Sequence, residues 1–443
     1  MDKKKYTARE AAYRSLIACE RDKKYSSLEI DASIRRFGLE GAESGLYTAL
    51  VYGVIERRLT LDYIIDKLSK KPTEQLDTEV AVLLRLGLYQ IIWLERIPDS
   101  AAVNETVNLS KKSAPRAASF INAVLRNFLR TYGKDSLPYP DRKNLREYLS
   151  VRYSVGYGVL DTLMASVNDV EALLAAFEHQ PDVTLRANTM KISRDELLKM
   201  LAERGTRAEA TAYSPYGVRL TQKSLRGEIM ELISSGLVYI QDEASQIATL
   251  AASPVPGTKV IDTCACPGGK SFSAAILMEN RGEVKSFDLH KNKLSLIEKG
   301  AERLGITIIE ASEQDGSKRN DELVEWADTV ICDVPCSGLG VIAKKPEIRY
   351  KSGEDFARLP EIQYAILKNS SAYVKVGGVL IYSTCTVNNA ENEAVVSRFL
   401  SENEGFAAED FSVGEIKSEG GKLTLMPHIH GTDGFFVAKL RRR

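Results

Sequence analysis

The sequence predicts a multidomain protein. An all-α domain (1–140) and a small α+β domain (141–240) precede an α/β domain (241–443) with a mostly parallel, Rossmann-like sheet. Three observations carry this. Apolar residues recur with a 3.6 period up to about residue 135, short alternating runs follow between 141 and 240, and strand, turn and helix signals repeat from 241 onward. A chain of 443 residues is also too long for one ordinary core.

Residues 118–130 set Phe120, Ile121, Val124, Leu125, Phe128 and Leu129 on one wide stripe, the pattern of a bundle helix. Ser100 is placed to cap a helix that runs through Val103, Val107 and Leu109 and ends near Pro115. Pro138 and Pro140 punctuate a boundary. Val183–Asn188 alternates as a strand, Ser193 opens a helix that runs to Gly205, and 218–220 and 237–240 are further short strands. In the last part, strands are expected at 260–262, 283–288, 307–311, 329–332, 379–383 and 435–440. Helices are expected at 292–304, 360–374 and 389–400. Such alternation gives a mostly parallel sheet covered on both faces.

The hydrophobic share of 44% and charged share of 27% are those of a soluble globular chain. No run approaches 18 uninterrupted apolar residues, so no membrane helix is expected. Met1–Lys5 opens onto a mixed pattern without signal-peptide character. Six cysteines gathered mainly in short motifs do not form a disulfide framework, and a reducing cytoplasm is the expected setting. Net charge is zero, yet residues 1–150 hold 26 Lys/Arg against 20 Asp/Glu. Lys111, Lys112, Arg116, Arg126 and Arg130 fall in an acid-free window, which fits either a solvated helix face or a phosphate-contacting patch.

The chemistry concentrates in three places. The first is the turn Asp262-Thr263-Cys264-Ala265-Cys266-Pro267-Gly268-Gly269-Lys270, where the glycines let backbone approach a ligand after the first strand. It has neither the G-x-G-x-x-G nor the G-x-x-x-x-G-K spacing of dinucleotide and phosphate loops. Asp288 ends the next strand, where a carboxylate can accept both ribose hydroxyls, and Asp315 follows the third strand within reach of an adenine amino group. A nucleoside held by acids without a phosphate cradle points to S-adenosylmethionine.

The other two places are Asp333-Val334-Pro335-Cys336-Ser337-Gly338 and Ser383-Thr384-Cys385-Thr386. Carbon 5 of cytosine is a poor nucleophile until a thiolate adds to carbon 6. The reaction then needs a partner for the ring nitrogen N3, a base for the carbon-5 proton, and a flipped-out base. Asp333 suits N3. Asn388 or Asn389 after Cys385 can cap the following helix, which would favour thiolate character there. Chemistry alone leaves open which cysteine is the nucleophile. Cys19, Cys264, Cys266 and Cys332 suit packing; a metal site at Cys264 and Cys266 is not expected, and His428 and His430 are expected in a loop.

These motifs, with Glu391-Asn392-Glu393 and the closing Asp433–Lys439, resemble the Nop2/Sun family of cytosine-C5 RNA methyltransferases across roughly 240–443. Cys266 stands where that family usually has alanine. Val103–Val107 and Phe120–Leu125 resemble a NusB-type RNA-binding domain, and Leu185–Asn188 resembles the small domain before the catalytic one. Together they resemble the bacterial members that act on small-subunit (16S) rRNA. The resemblance implies a class I methyltransferase domain, S-adenosyl-L-methionine as cofactor bound by 264–270, Asp288, Asp315 and Asp333, and no metal. It makes Cys385 the nucleophile and Cys336 the residue assisting release, with Lys270 near cofactor and base. It implies a monomer acting on small-subunit rRNA or an early assembly intermediate, without a membrane. A tRNA cytosine methyltransferase and a non-catalytic RNA-binding factor are the competing readings.

Overall fold

The computed structural model describes residues 6–22, 26–179, 181–221 and 227–443; the Met1–Lys5 start lies outside them. Two compact units emerge: one comprises the chain up to Thr162 together with Ile342–Ser352, the other Leu163–Val341 and Gly353–Arg443.

The first unit is helical. It contains α1 (Ala8–Asp22), α2 (Ser26–Phe37), α3 (Gly41–Glu56), α4 (Arg58–Leu68), α5 (Thr78–Trp93), α6 (Asp99–Ser113), α7 (Ala118–Thr131) and α8 (Leu145–Tyr153). Helix α5 is apolar nearly all round and forms the centre of the bundle, as expected of a helix with no solvent face. Its Arg85 is buried, and its charge is met by Asp62 at 2.6 Å and Glu20 at 2.5 Å. Helix α7 buries Ile121, Val124, Leu125 and Phe128, whereas Phe120 and Leu129 are only half-buried against the same core. Ser100 does not cap α6. The helix starts one residue earlier, at Asp99, with Pro98 as its flank, so Ser100 lies in the first turn.

The segment Ile342–Ser352 belongs to this helical unit although it departs from the chain of the other. Its 3-10 turn Pro346–Tyr350 carries the fully buried Arg349. The Arg349 guanidinium donates to the Tyr153 carbonyl at 2.9 Å and lies 3.6 Å from Glu56. Tyr350 hydroxyl donates to the Ile55 carbonyl at 2.5 Å, and the Arg58 guanidinium sits 3.9 Å from the Tyr350 ring centre. Gly156 N donates to the Arg349 carbonyl at 2.7 Å.

Helices α9 (Tyr157–Ser166) and α10 (Val170–Ala176) lead to a four-stranded antiparallel sheet. Its strands β1 (Val183–Ala187), β2 (Ala208–Ala210), β3 (Gly217–Leu220) and β4 (Val238–Ile240) take the order β2-β3-β1-β4. Helices α11 (Arg194–Glu203) and α12 (Gly227–Ser234) cover its Leu185 face. Ser193 caps α11 with a full capping box to Glu196, as its spacing predicts.

After α13 (Glu243–Ala252) comes the large sheet. Strands β5 (Lys259–Asp262), β6 (Glu283–Asp288), β7 (Ile309–Glu313), β8 (Ala327–Asp333) and β9 (Val374–Thr384) run parallel. Helices α14 (Gly269–Leu277), α15 (Lys291–Leu304), α16 (Glu354–Ala357), α17 (Leu359–Ser371) and α18 (Glu393–Glu402) accompany them. Short strands β10 (Phe406–Ala408), β11 (Ser412–Val413), β12 (Ile416–Lys417) and β13 (Lys422–Leu425) precede α19 (Pro427–His430) and β14 (Phe435–Arg442). The strand order β10-β14-β9-β8-β5-β6-β7 has β13 paired to β14, and β14 is antiparallel to β9. The direction of winding reverses between β5 and β8, which is where an open α/β sheet holds its ligand.

Three local expectations are corrected. The third strand starts at Ile309, because Asn280 accepts the Thr307 amide and holds that residue outside the ladder. His428 and His430 lie on the short helix α19, where His430 Nδ1 accepts the Met426 amide at 2.8 Å. The last inter-strand helix begins at Glu393, for reasons given below. No helix among the described residues is long and apolar enough to cross a membrane.

Arg349→Ala removes the buried anchor of the 342–352 segment. Loss of its hydrogen bond and partly desolvated ion pair is expected to cost about 1–3 kcal/mol. Amide hydrogen exchange should speed up over 342–352 and the end of α3; unchanged exchange there would show that Tyr350 alone suffices.

Candidate active site

The expected site residues sit at the carboxyl ends of parallel strands or in the loops after them, except Gly269 and Lys270, which open α14. Asp262 ends β5, and the glycine turn leads directly into α14. Gly268 has φ of 113°, and a Cβ there would lie 2.4 Å from the Phe272 ring, so both backbone and space require glycine. Ser271 hydroxyl donates to Asp262 Oδ2 at 2.7 Å. Asp288, at the end of β6, accepts the Cys266 amide at 3.2 Å and the His290 amide at 3.0 Å. Asp315 accepts the Ser317 amide at 3.0 Å and its hydroxyl at 2.6 Å, and these bonds hold its carboxyl below the usual carboxylate range.

Lys270, in the first turn of α14, is buried. Its ammonium donates to Asp333 Oδ2 at 2.6 Å and to Ser245 Oγ at 3.1 Å, and lies 5.3 Å from the Phe435 ring centre. The other oxygen of Asp333 accepts the Ser383 hydroxyl at 2.8 Å. Asp333 is therefore fixed from both sides, by a cation from the first strand's turn and a hydroxyl from the neighbouring strand.

The two motif cysteines meet: Cys336 Sγ and Cys385 Sγ are 3.2 Å apart. The hydrogen bond to Cys385, with burial, pushes the Cys336 thiol well above its ordinary value. The loops that carry them are laced together. Gly340 N donates to the Cys385 carbonyl at 3.0 Å, and Gly434 N donates to the Gly340 carbonyl at 2.9 Å. A Cβ on Gly340 would lie 1.8 Å from the Gly434 oxygen, so this approach also needs glycine. Glu391 is fully buried and accepts from the Ser337 amide, Gln363 and Asn388, at 2.8 to 2.9 Å.

That network corrects the expected cap. Asn388 is occupied by Glu391, and Asn392 pairs with Thr384 and the Thr386 carbonyl, so residues 385–392 stay out of the helix. Asn389 bonds to Ser166 instead. With α18 starting at Glu393, Cys385 is not at a helix N-terminus. Its sulfur faces Cys336 instead.

The remaining cysteines of this unit are quiet. Burial pushes the Cys332 thiol up to about 11 and the Cys264 thiol well above its usual value. Burial, then Asp288, also raises Cys266, whose Sγ donates to the Lys293 carbonyl at 3.2 Å.

Two adjoining hollows share Cys264, Cys266 and Asp333. One, of about 310 Å³, is bounded by Asp288, Asp315, Pro335 and Ile366. The other, of about 260 Å³, is bounded by Lys270, Cys385, Asp333 and Phe435. The second also includes Gln241, Asp242, Ser245 and Asp433, none of which had been singled out as a site residue. Asp433 stands in the quoted closing motif, which was the available signal; Gln241 and Ser245 stand in no motif.

Burial pushes Asp262 up to about 6. Its folded value thus exceeds the ordinary carboxylate value, so the native state binds more protons than the unfolded one between about pH 4 and 6. Its contribution to stability therefore falls as pH rises through that window, by roughly 3 kcal/mol in all. Asp262→Asn should gain stability relative to wild type as pH rises from 4 to 7 in urea unfolding. A pH-independent difference would contradict the burial argument.

Comparison with known proteins places this architecture. Residues 249–441 match the family described as 16S rRNA methyltransferase RsmB/F, 6–130 match the NusB family, and 165–225 match the ferredoxin-like domain of RsmF/B-like methyltransferases. The chain is 37% identical to the probable ribosomal RNA small subunit methyltransferase B of Bacillus subtilis, over 99% of this chain and all of the relative. It is 35% identical to the protein of the same description from Synechocystis, over 98% and 99%. In fold it is similar to the crystal structure of PH0851, with a TM-score of 0.80 at 24% identity over 98% of both chains. A methyltransferase homolog from Pyrococcus horikoshii gives 0.60 at 27% identity, over 68% of this chain and 99% of that one. A full-length match at this identity, three ordered domains and one continuous site lead to one assignment: the chain belongs to the RsmB/F methyltransferase family, with a NusB-type domain at its front.

Proposed function

We propose that the protein transfers a methyl group from S-adenosyl-L-methionine to carbon 5 of a specific cytidine in small-subunit rRNA, through a covalent bond between Cys385 and cytosine carbon 6. The observation that carries this is the 3.2 Å approach of the Cys336 thiol to Cys385, which itself lines, together with the lysine–aspartate pair, a hollow that adjoins a second one rimmed by acids. The residues fit the cofactor. Asp288 spends one bond per oxygen on backbone amides, which leaves acceptor capacity for ribose hydroxyls, while Asp315 stands across the same hollow for the adenine amino group. When bound there, the cofactor supplies an electrophilic methyl.

The chain's own residues do the rest. Cys385 thiolate adds to carbon 6, and the ring electrons move to carbon 5, which becomes able to attack. As the thiolate adds, the proton released by the Cys385 thiol is taken up at N3, and Asp333, held by Lys270, accepts the hydrogen bond of that N–H. Once carbon 5 carries the methyl, its proton passes to a water molecule, the electron pair of that bond re-forms the ring double bond, and the bond between carbon 6 and sulfur breaks to release Cys385 as thiolate. Cys336, whose sulfur touches that of Cys385, assists this release. The backbone of 264–269 lines the cofactor's passage. Residues 1–140 and 141–240 engage the RNA, and 241–443 carry the chemistry. The protein acts as a monomer in the cytoplasm, on small-subunit rRNA or an early assembly intermediate of it.

A denaturing gel of protein incubated with small-subunit rRNA and cofactor tests the assignment. Cys336→Ala should accumulate a covalent adduct, and the double variant with Cys385→Ala should lose it. Adduct accumulating only in Cys385→Ala would reverse the two roles. Cys385→Ala should abolish methyl transfer while binding cofactor normally. Asp288→Ala should weaken cofactor affinity on the order of ten-fold or more by calorimetry, from the loss of hydrogen bonds to a charged group. Unchanged affinity would remove it from the site.

A further inference from the structure

The two motif thiols are anchored unequally. Cys385 follows directly on β9, where Thr384 pairs with Phe436 of β14 and Ser383 with Asp333 of β8. The sheet therefore fixes the chain up to the residue before Cys385. Cys336 comes three residues after β8 ends at Asp333, in a loop that depends on the side chains it meets.

Those side chains are a carboxylate and an amide. Glu391 gives one oxygen to each cysteine loop. Its Oε2 accepts the Ser337 amide at 2.8 Å, and its Oε1 accepts the Asn388 side chain at 2.9 Å. Gln363, on α17, is fully buried and donates twice through Nε2, to the Pro335 carbonyl and to Glu391 Oε2, each at 2.9 Å. Cys336 is thus held through the residue before it and the residue after it. The Oε1 of Gln363 has no hydrogen-bond partner among the described residues. A buried amide that leaves its carbonyl unmet is destabilising, and such a group calls for an explanation. Turning the amide over would set its carbonyl against two acceptors, so its orientation is dictated by the two bonds it donates.

We propose that Gln363 and Glu391 are positioning residues for the release step, holding the Cys336 thiol against Cys385 while the covalent intermediate breaks down. The role rests on the assignment of Cys336 to release given above. Both side chains act through the backbone on either side of Cys336. Asp333 and Lys270 are held separately, by the Ser383 and Ser245 hydroxyls. Methyl transfer itself therefore does not depend on the bridge, and release does.

The test uses the full-length protein with small-subunit rRNA and S-adenosyl-L-methionine, comparing wild type with Gln363→Met, Glu391→Ala and Cys336→Ala. Gln363→Met keeps the length of the side chain and removes both donated bonds. It should complete the first methyl transfer at the wild-type rate. Later turnovers should slow on the order of a hundred-fold while covalent adduct builds up on a denaturing gel. A merely structural lesion would lower first and later turnovers together. Glu391→Ala releases both loops and should act in the same direction; where circular dichroism shows it unfolded, Gln363→Met decides.

A second readout needs no catalysis. Dibromobimane links two thiols only where they lie within a few ångströms, and peptide mass mapping identifies the linked pair. Wild type should form the Cys336–Cys385 link, and Gln363→Met should form it on the order of ten-fold more slowly, because the second thiol is no longer held beside the first. A wild-type linking rate in Gln363→Met would overturn the positioning role whatever its turnover. If Cys336→Ala itself accumulates no adduct, the release reading fails, and the linking rate still decides whether the two residues position the thiol.

Discussion

The buried Glu391 carboxylate determines where both thiols stand. It accepts the amide next to Cys336, a glutamine from α17 and an asparagine three residues after Cys385. A carboxylate with no water around it must find such donors, and each donor it takes is a piece of loop that can no longer wander. The thiol contact at 3.2 Å is thus maintained by a group that touches neither sulfur. The glycine approach of 340 to 434 closes the same arrangement from the other side.

The lysine–aspartate pair is a second case of position set by partners. Lys270 comes from the turn after β5 and Asp333 from the end of β8, the two strands between which the sheet changes direction of winding. The switch point brings opposite charges from distant sequence into one pocket. Ser245 and Ser383 then take up the remaining donor and acceptor capacity. A pair held this way has little reorganising left to do when a planar ring arrives.

Much of this was legible in the sequence because it is local. The capping box at Ser193 and Glu196, the strand 283–288 and the glycine turn each depend on residues within a few positions. What could not be read depends on competition or distance. Asn388 and Asn389 look like helix caps, but capping loses to Glu391 and Ser166 for their side chains, and α18 starts later. The strands Ser412–Val413 and Ile416–Lys417 are two residues each, too short to show a period. Ser245, 25 residues from Lys270, lies in no motif.

The anchoring of Arg349 and Tyr350 among the helices has a consequence for how such a chain can be divided or recombined. The backbone passes from one unit to the other after Thr162, returns after Val341 and leaves again after Ser352. No single scission separates the units, and a catalytic fragment cut at one junction would carry an orphaned segment whose arginine has lost its buried carbonyl. A front domain grafted from another chain would need a compatible 342–352 to fill the place of the buried arginine.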